Sequence, residues 1–399
     1  MFQKLNLDYI YKYLLISLAF LMPLTVSGAN TIIALIVLIW LLSGNYKEKF
    51  SHIMSSKLMI ASIVFYCLHV LGMLWTEDIA WGFEVLHKMW YFILLWPVLF
   101  NIVNKSDVKY FILAFFLAIS ITEIISYLIW FEVIPPFKNA SVSNPTPFMS
   151  HISYNPILAF ALYLLGHEVL FSLKINKYRR YCYSFFLLTM SVNMFITGGR
   201  AGQIMYFVVV SLLIFQYFRS QIFKGFFVSC IVVSSIFFSA YQTSDIFNTR
   251  VNDAIENIKS YESNKNTPVG QRITWAVNSW EVIMDNPLIG IGTGDFPKEY
   301  LKVNKKNTPQ VVITRNPHNM YILILMQLGF IGLVSFILIF YYQIVYSFKS
   351  HNKFYRDVGL AIPLLFLLIM FSESYLLGHY TSLVYVFFSS FLYKDFEKS

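Results

Sequence analysis

Three short stretches hold the side chains best suited to chemistry. In Pro317-His318-Asn319-Met320-Tyr321 an imidazole stands at the foot of an apolar run. Near neutral pH it can take up a proton as a base, or it can be a hydrogen-bonded structural group. In Gly270-Gln271-Arg272-Ile273-Thr274-Trp275 the guanidinium of Arg272 falls at the expected start of a helix. Unpaired N–H groups and the positive end of the helix dipole gather there, and the planar guanidinium fork matches phosphate. In Thr197-Gly198-Gly199-Arg200-Ala201-Gly202, Arg200 sits among small residues between two apolar runs. An Arg in that position either snorkels to the interface or faces a polar site. Its small neighbours would let an anionic ligand approach the backbone. Lys88 and His151 are further candidates for phosphate or sugar contacts, with an interfacial role as the alternative. Asn319 is a candidate for substrate contact and for capping the helix that follows it. The acids Glu77, Asp78, Asp285 and Asp295 are scattered. None forms the carboxylate pair that metal-assisted transfer uses, so neither a metal nor a cofactor is expected.

The elements that must position these groups are mostly membrane helices. The chain has 399 residues, 57% of them hydrophobic and only 13% charged. That charged fraction is about half the usual value for a soluble domain, so the bulk of the chain must face lipid. In such a protein the net charge of +9 reports topology rather than a nucleic-acid partner. Cys67, Cys182 and Cys230 lie in or at the edge of apolar runs, and they imply neither a disulfide framework nor a thiolate metal site. Segments of suitable length fall near 10–27, 29–44, 57–75, 88–103, 109–133 and 153–172, then 182–197, 203–218, 225–241, 319–346, 358–373 and 380–393. They predict an all-α polytopic membrane protein of about twelve transmembrane helices. Ser27-Gly28-Ala29 after the first of these resembles a cleavage site, but a second apolar run begins at once and points to a retained helix.

Basic residues set the orientation. Lys12, Lys47, Lys49, Lys57, Lys105, Lys109, Lys177, Arg179, Arg180, Lys349, Lys353 and Arg356 fall on one side, and the short loops of the other hold only Lys88, Lys138 and Arg200. The rich side is cytoplasmic, with both termini on it. The expected organisation is residues 1–241 with nine transmembrane helices, a long outer loop over 242–318, and residues 319–399 with three helices and a cytoplasmic tail. Within the loop, residues 271–285 predict a helix with an apolar stripe of Ile273, Ala276, Val277, Trp280, Ile283 and Met284. That stripe suits either the membrane interface or the loop's own small core. The run Asn286-Pro287-Leu288-Ile289-Gly290-Ile291-Gly292-Thr293-Gly294 lacks the strand–turn–helix setting of a nucleotide loop and reads as a structural turn. Glu123, within an apolar run, is a functional candidate by position and is expected to have a structural partner.

Taken together, these stretches resemble the O-antigen ligase and polymerase superfamily. The resemblance rests on Thr197–Gly202, Arg272 with Trp275, Asn286-Pro287 with Gly290, Gly292 and Gly294, and the re-entry motif. In that motif His318-Asn319 is followed after nine residues by Gly329 and then by Gly332. It is similar to the ligase signature H-N-x9-G-x-x-G. The resemblance implies transfer of a glycan from undecaprenyl diphosphate to a sugar hydroxyl of lipid A–core, on the periplasmic face of the bacterial inner membrane. It also implies inversion at the anomeric carbon without metal or nucleotide. His318 would then be the base, and Arg200 and Arg272 would stabilise the diphosphate leaving group. A polymerase, or a protein O-oligosaccharyltransferase, is the alternative within the superfamily. A transporter or flippase is the alternative outside it, although no internal repeat is visible. The carrier-linked glycan, the acceptor and membrane lipid are the implied partners; protein partners are not specified by the sequence, and nucleic acid is not expected.

Overall fold

The computed structural model describes residues 2–138, 140–172 and 175–395, and of residues 2–6 the backbone alone. The last four residues of the expected tail, 396–399, lie outside the described residues. Among the described residues all regular structure is helical. The first half has α1 (Phe2–Leu21), α2 (Val26–Leu42), α3 (Tyr46–Met54), α4 (Lys57–Gly72), α5 (Ile79–Met89), α6 (Leu95–Ile102), α7 (Val108–Trp130) and α8 (His151–Phe171). There follow α9 (Lys177–Ile196), α10 (Arg200–Tyr217), α11 (Ile222–Thr243), α12 (Asp245–Lys259), α13 (Pro268–Asp285), α14 (Phe296–Asn307), α15 (Met320–Lys349), α16 (Lys353–Ile369) and α17 (His379–Leu392).

Each of the twelve apolar segments is helical over most of its length, and the protein is a multi-pass membrane protein. Among the described residues seven stretches, beginning at Lys57, Ile79, Lys105, His151, Arg200, Ile222 and Met320, are long and apolar enough to cross a membrane. Helices α2 and α3, bent by 116° where they meet, make an eighth if they form one span. The count of twelve is not reached by this measure, because α1, α9, α16 and α17 fall short of it. Helix α9 opens on Lys177, Arg179 and Arg180, and α17 has 14 residues. Helix α17 is nonetheless buried at every residue from Thr381 to Leu392. It is surrounded by protein rather than lipid, and a helix so placed need not match the bilayer thickness.

The chain divides into two compact units, Met1–Ile33 with Ser106–Asn252 and Ala34–Lys105 with Asp253–Ser399. In the first, α8 packs against α9 and α10, and α1 against α7. In the second, α15 packs along α4 and α16, and α13 lies on α14 and α15.

Helix α15 is broken. Gly329 has φ 59° and ψ −157°, a conformation essentially reserved for glycine. A break within a span strips backbone groups of their helical partners, and lipid offers no replacement. Here the glycine run after α13 supplies them. Ile291 N–H donates to Met326 O (2.8 Å) and Gly292 N–H to Gln327 O (3.0 Å). In return Phe330 N–H donates to Pro287 O (2.8 Å) and Ile331 N–H to Leu288 O (3.2 Å). The Gln327 amide donates to Thr293 O (2.6 Å), and the Thr293 hydroxyl to His69 O of α4 (2.7 Å). The run therefore does more than turn the chain: it completes a transmembrane helix.

A Cβ on Gly329 would stand 2.4 Å from the Leu288 carbonyl carbon and oxygen. Gly329→Ala is therefore expected to cost about 1–3 kcal/mol through backbone strain, and more through displacement of the run. A thermal-unfolding curve of the purified protein checks this; an unchanged midpoint would contradict the role given to the break.

Candidate active site

In the second unit, His318 is held from several sides. Its backbone has φ 52°, unusual for a residue with a side chain. Asn316 maintains that turn: its Oδ1 accepts from His318 N–H (3.0 Å) and from the Ser374 hydroxyl (2.8 Å). The Nδ1 of His318 lies 2.6 Å from Oε2 of Glu373, in the short connection between α16 and α17. The ring stacks on the indole of Trp275, with centroids 5.0 Å apart and planes 26° apart. The indole is in turn fixed by a hydrogen bond from Nε1 to Val312 O (2.9 Å). A carboxylate on Nδ1 keeps the proton there and leaves the Nε2 lone pair to accept another.

Arg272 is exposed, one helical turn before Trp275 on α13. Its charge reaches this neighbourhood. Burial pushes the Tyr375 phenol upward, the Glu373 carboxylate pushes it further, and the Arg272 guanidinium opposes both. Two more cations sit against α5. The Arg315 guanidinium lies 5.4 Å and the Lys88 ammonium 5.3 Å from the centre of the Trp81 ring. Lys88 also pairs with Glu84 at 3.2 Å. Asn319 caps α15, its Oδ1 accepting from Tyr321 N–H (3.0 Å) and Ile322 N–H (3.1 Å), while its Nδ2 donates to Phe371 O (3.2 Å). Those bonds engage both ends of its amide in structure.

In the first unit, Arg200 opens α10 and His151 opens α8. Asn144 ties the two openings together, through His151 Nδ1 (2.8 Å) and through Gly198 N–H (3.0 Å). The Arg200 and Arg250 guanidinium groups both act electrostatically on the His151 ring. The small residues around Arg200 serve helix packing. A Cβ on Gly199 or Gly202 would meet Asn155 of α8 at 2.6 or 2.2 Å. Glu123 is 1% exposed within α7, with Thr189 as its polar neighbour and the Tyr127 and Tyr154 phenols near its charge.

A family model described as O-antigen ligase matches residues 185–337. Over that stretch the chain is similar to the O-antigen ligase superfamily. The matched stretch holds Arg200, Arg250, Arg272, Trp275, Arg315, His318, Gly329 and Gly332. An uncharacterised protein of Haemophilus influenzae is 26% identical over 217 residues, which is 52% of this chain and 54% of that one. The chain thus spans about half the length of the curated relative it matches.

Sequence patterning passed over Glu373, Arg315, Asn316 and Arg250. Glu373 had a signal, since it is an acid at the very end of an apolar segment. Its 55-residue separation from His318 hid the pairing. Among the described residues, no three His, Cys, Asp or Glu side chains gather in a group that could hold a metal ion. Asp295, one of the scattered acids, is buried and accepts from the backbone N–H groups of Glu77 (2.8 Å) and Asp78 (2.7 Å). It thereby fixes the start of α5, and with it Trp81. Asp295→Ala strands those donors and is expected to cost about 1–3 kcal/mol. Urea or thermal unfolding would show this as a lowered midpoint, with Asp295→Asn recovering part of it.

Proposed function

We propose that this protein moves a glycan from undecaprenyl diphosphate to a sugar hydroxyl of lipid A–core, at the periplasmic face of the bacterial inner membrane. The observation that carries the reading is the His318–Glu373 pair, 2.6 Å apart and stacked on Trp275, with Arg272 one turn away on the same helix. The distribution of basic residues supports cytoplasmic termini and hence an outward-facing His318.

The reaction follows from the groups present. The acceptor hydroxyl oxygen attacks the anomeric carbon from the side opposite the diphosphate, and the configuration inverts. Nε2 of His318 takes the hydroxyl proton while Glu373, on Nδ1, stabilises the imidazolium that forms. The bond between the anomeric carbon and the phosphate oxygen breaks, and the diphosphate leaves with the electron pair. Arg272 meets the charge that develops on it, and so favours the transition state over the bound donor. Arg200 is assigned the same task, and Lys88 and His151 are assigned contacts with phosphate or sugar. No step calls for a metal.

Two measurements test this reading. In liposomes holding carrier-linked glycan and acceptor, His318→Ala is expected to lower transfer by about 10²–10⁴-fold. Glu373→Gln should lower it as well, by up to about 10⁴-fold, with insertion of both variants unchanged. Full activity of His318→Ala would remove the base from the mechanism. The second measurement separates ligase from polymerase, and the family description and the single long outer loop support the ligase. Deleting the gene is then expected to leave bare lipid A–core on a silver-stained gel, with long glycan retained on the carrier. A core bearing one repeat unit would identify a polymerase instead.

A further inference from the structure

Helix α13 has two unlike faces. Trp275, Asn278, Val282 and Ile283 are buried, and the apolar members of that face join a cluster with Phe296, Tyr300, Leu323 and Met326. The opposite face is apolar and bare: Val277 is 60% exposed, Trp280 50% and Met284 62%. Beyond the helix, Leu288 and Ile289 continue it at 66% and 52%. The charged groups of α13 keep to another edge. Glu281 bonds to Lys306 and Asn307 of α14 (2.8 and 2.6 Å), and Asp285 acts on Lys306. So many large apolar side chains in one strip are costly in water.

The break in α15 fixes where this strip lies. Pro287 and Leu288 accept hydrogen bonds from Phe330 and Ile331. Those residues stand ten and eleven positions past Met320, about 15 Å along the helix. Counted along its two arms on either side of Gly329, α15 has 30 residues, about 45 Å of helix, against a hydrocarbon core of about 30 Å. A span centred in the bilayer therefore holds Phe330 several Å inside the hydrocarbon. Phe330, Ile331 and Val334 are themselves 47%, 48% and 59% exposed, the lipid-facing surface of that span. Leu288 and Ile289 extend this same surface.

We propose that Val277, Trp280, Met284, Leu288 and Ile289 form a lipid-contact strip, immersed in one leaflet beside α15, which sets the depth of His318 in the bilayer. The occupant is the acyl region of the membrane. Helix α13 descends into it obliquely, from Arg272 at the surface to Leu288 at the deepest point. Trp275, on the buried face two residues before Val277 and five before Trp280, then carries the His318 ring at the level of the lipid headgroups. This depends only on the membrane location and not on the reaction proposed above.

Spin labels test it on the full-length protein in liposomes. The native Cys67, Cys182 and Cys230 are first replaced by Ser. Single cysteines are then introduced as Val277→Cys, Met284→Cys and Leu288→Cys, with Lys302→Cys on α14 as reference. Labels at 284 and 288 are expected to collide with oxygen more than with a water-soluble nickel chelate, with depth increasing from 277 to 288. The label at 302 should show the reverse. Nickel access at 284 and 288 equal to that at 302 would overturn the proposal. Shielding from both reagents would also overturn it, by showing that protein, such as a second copy of the chain, covers the strip. Should the cysteine variants fail to fold, brominated lipids give a second reading. They should quench the native protein's tryptophan emission more than that of Trp280→Phe, and equal quenching would overturn the proposal.

Discussion

The break in α15 leaves two carbonyls and two amides inside a membrane span, and residues 287–292 satisfy all four. Each such group left bare in hydrocarbon would cost several kcal/mol, so this pairing constrains much of the second unit. It pins the end of α13 to a fixed level of α15 and thereby holds Trp275 against the His318 ring. It gives Gly329, Gly290 and Gly292 their physical reason, because Gly329 and Gly290 bring backbone against backbone and Gly292 packs on Thr76. The same run also reaches α4 and α5 through Thr293 and Asp295. One exchange of backbone hydrogen bonds therefore joins the helix under His318 to the helices around it.

His318 is held in one orientation from three sides. Its positive φ is maintained by Asn316, its ring plane by Trp275, and its tautomer by Glu373. No one of these contacts is large, but together they leave the imidazole little freedom. Arg315, three residues before His318, and Lys88 both lie on the Trp81 ring of α5.

The first unit uses small residues differently. Gly199 and Gly202 bring α10 close against Asn155 of α8, and the Asn155 side chain accepts from Thr197 (3.1 Å). That close fit brings Arg200 to a helix start beside Asn144 and His151. Patterning alone suggested that the glycines make room for a ligand; the space they make is filled by a helix.

Local rules were sufficient for much of this protein. Hydropathy over some twenty residues marked the membrane segments, because the cost of placing polar groups in lipid is paid segment by segment. The Asn319 cap and the apolar stripe of α13 were equally legible, since each depends on neighbours within one or two helical turns. The stripe's destination was not, because periodicity defines a face without saying what covers it. Trp280 and Met284 proved bare, while Ile283 turned inward. Glu373 beside His318, and Leu288 at the break in α15, belong wholly to the tertiary structure. Both contacts join residues some forty or more positions apart, and a linear sequence carries no measure of distance in space.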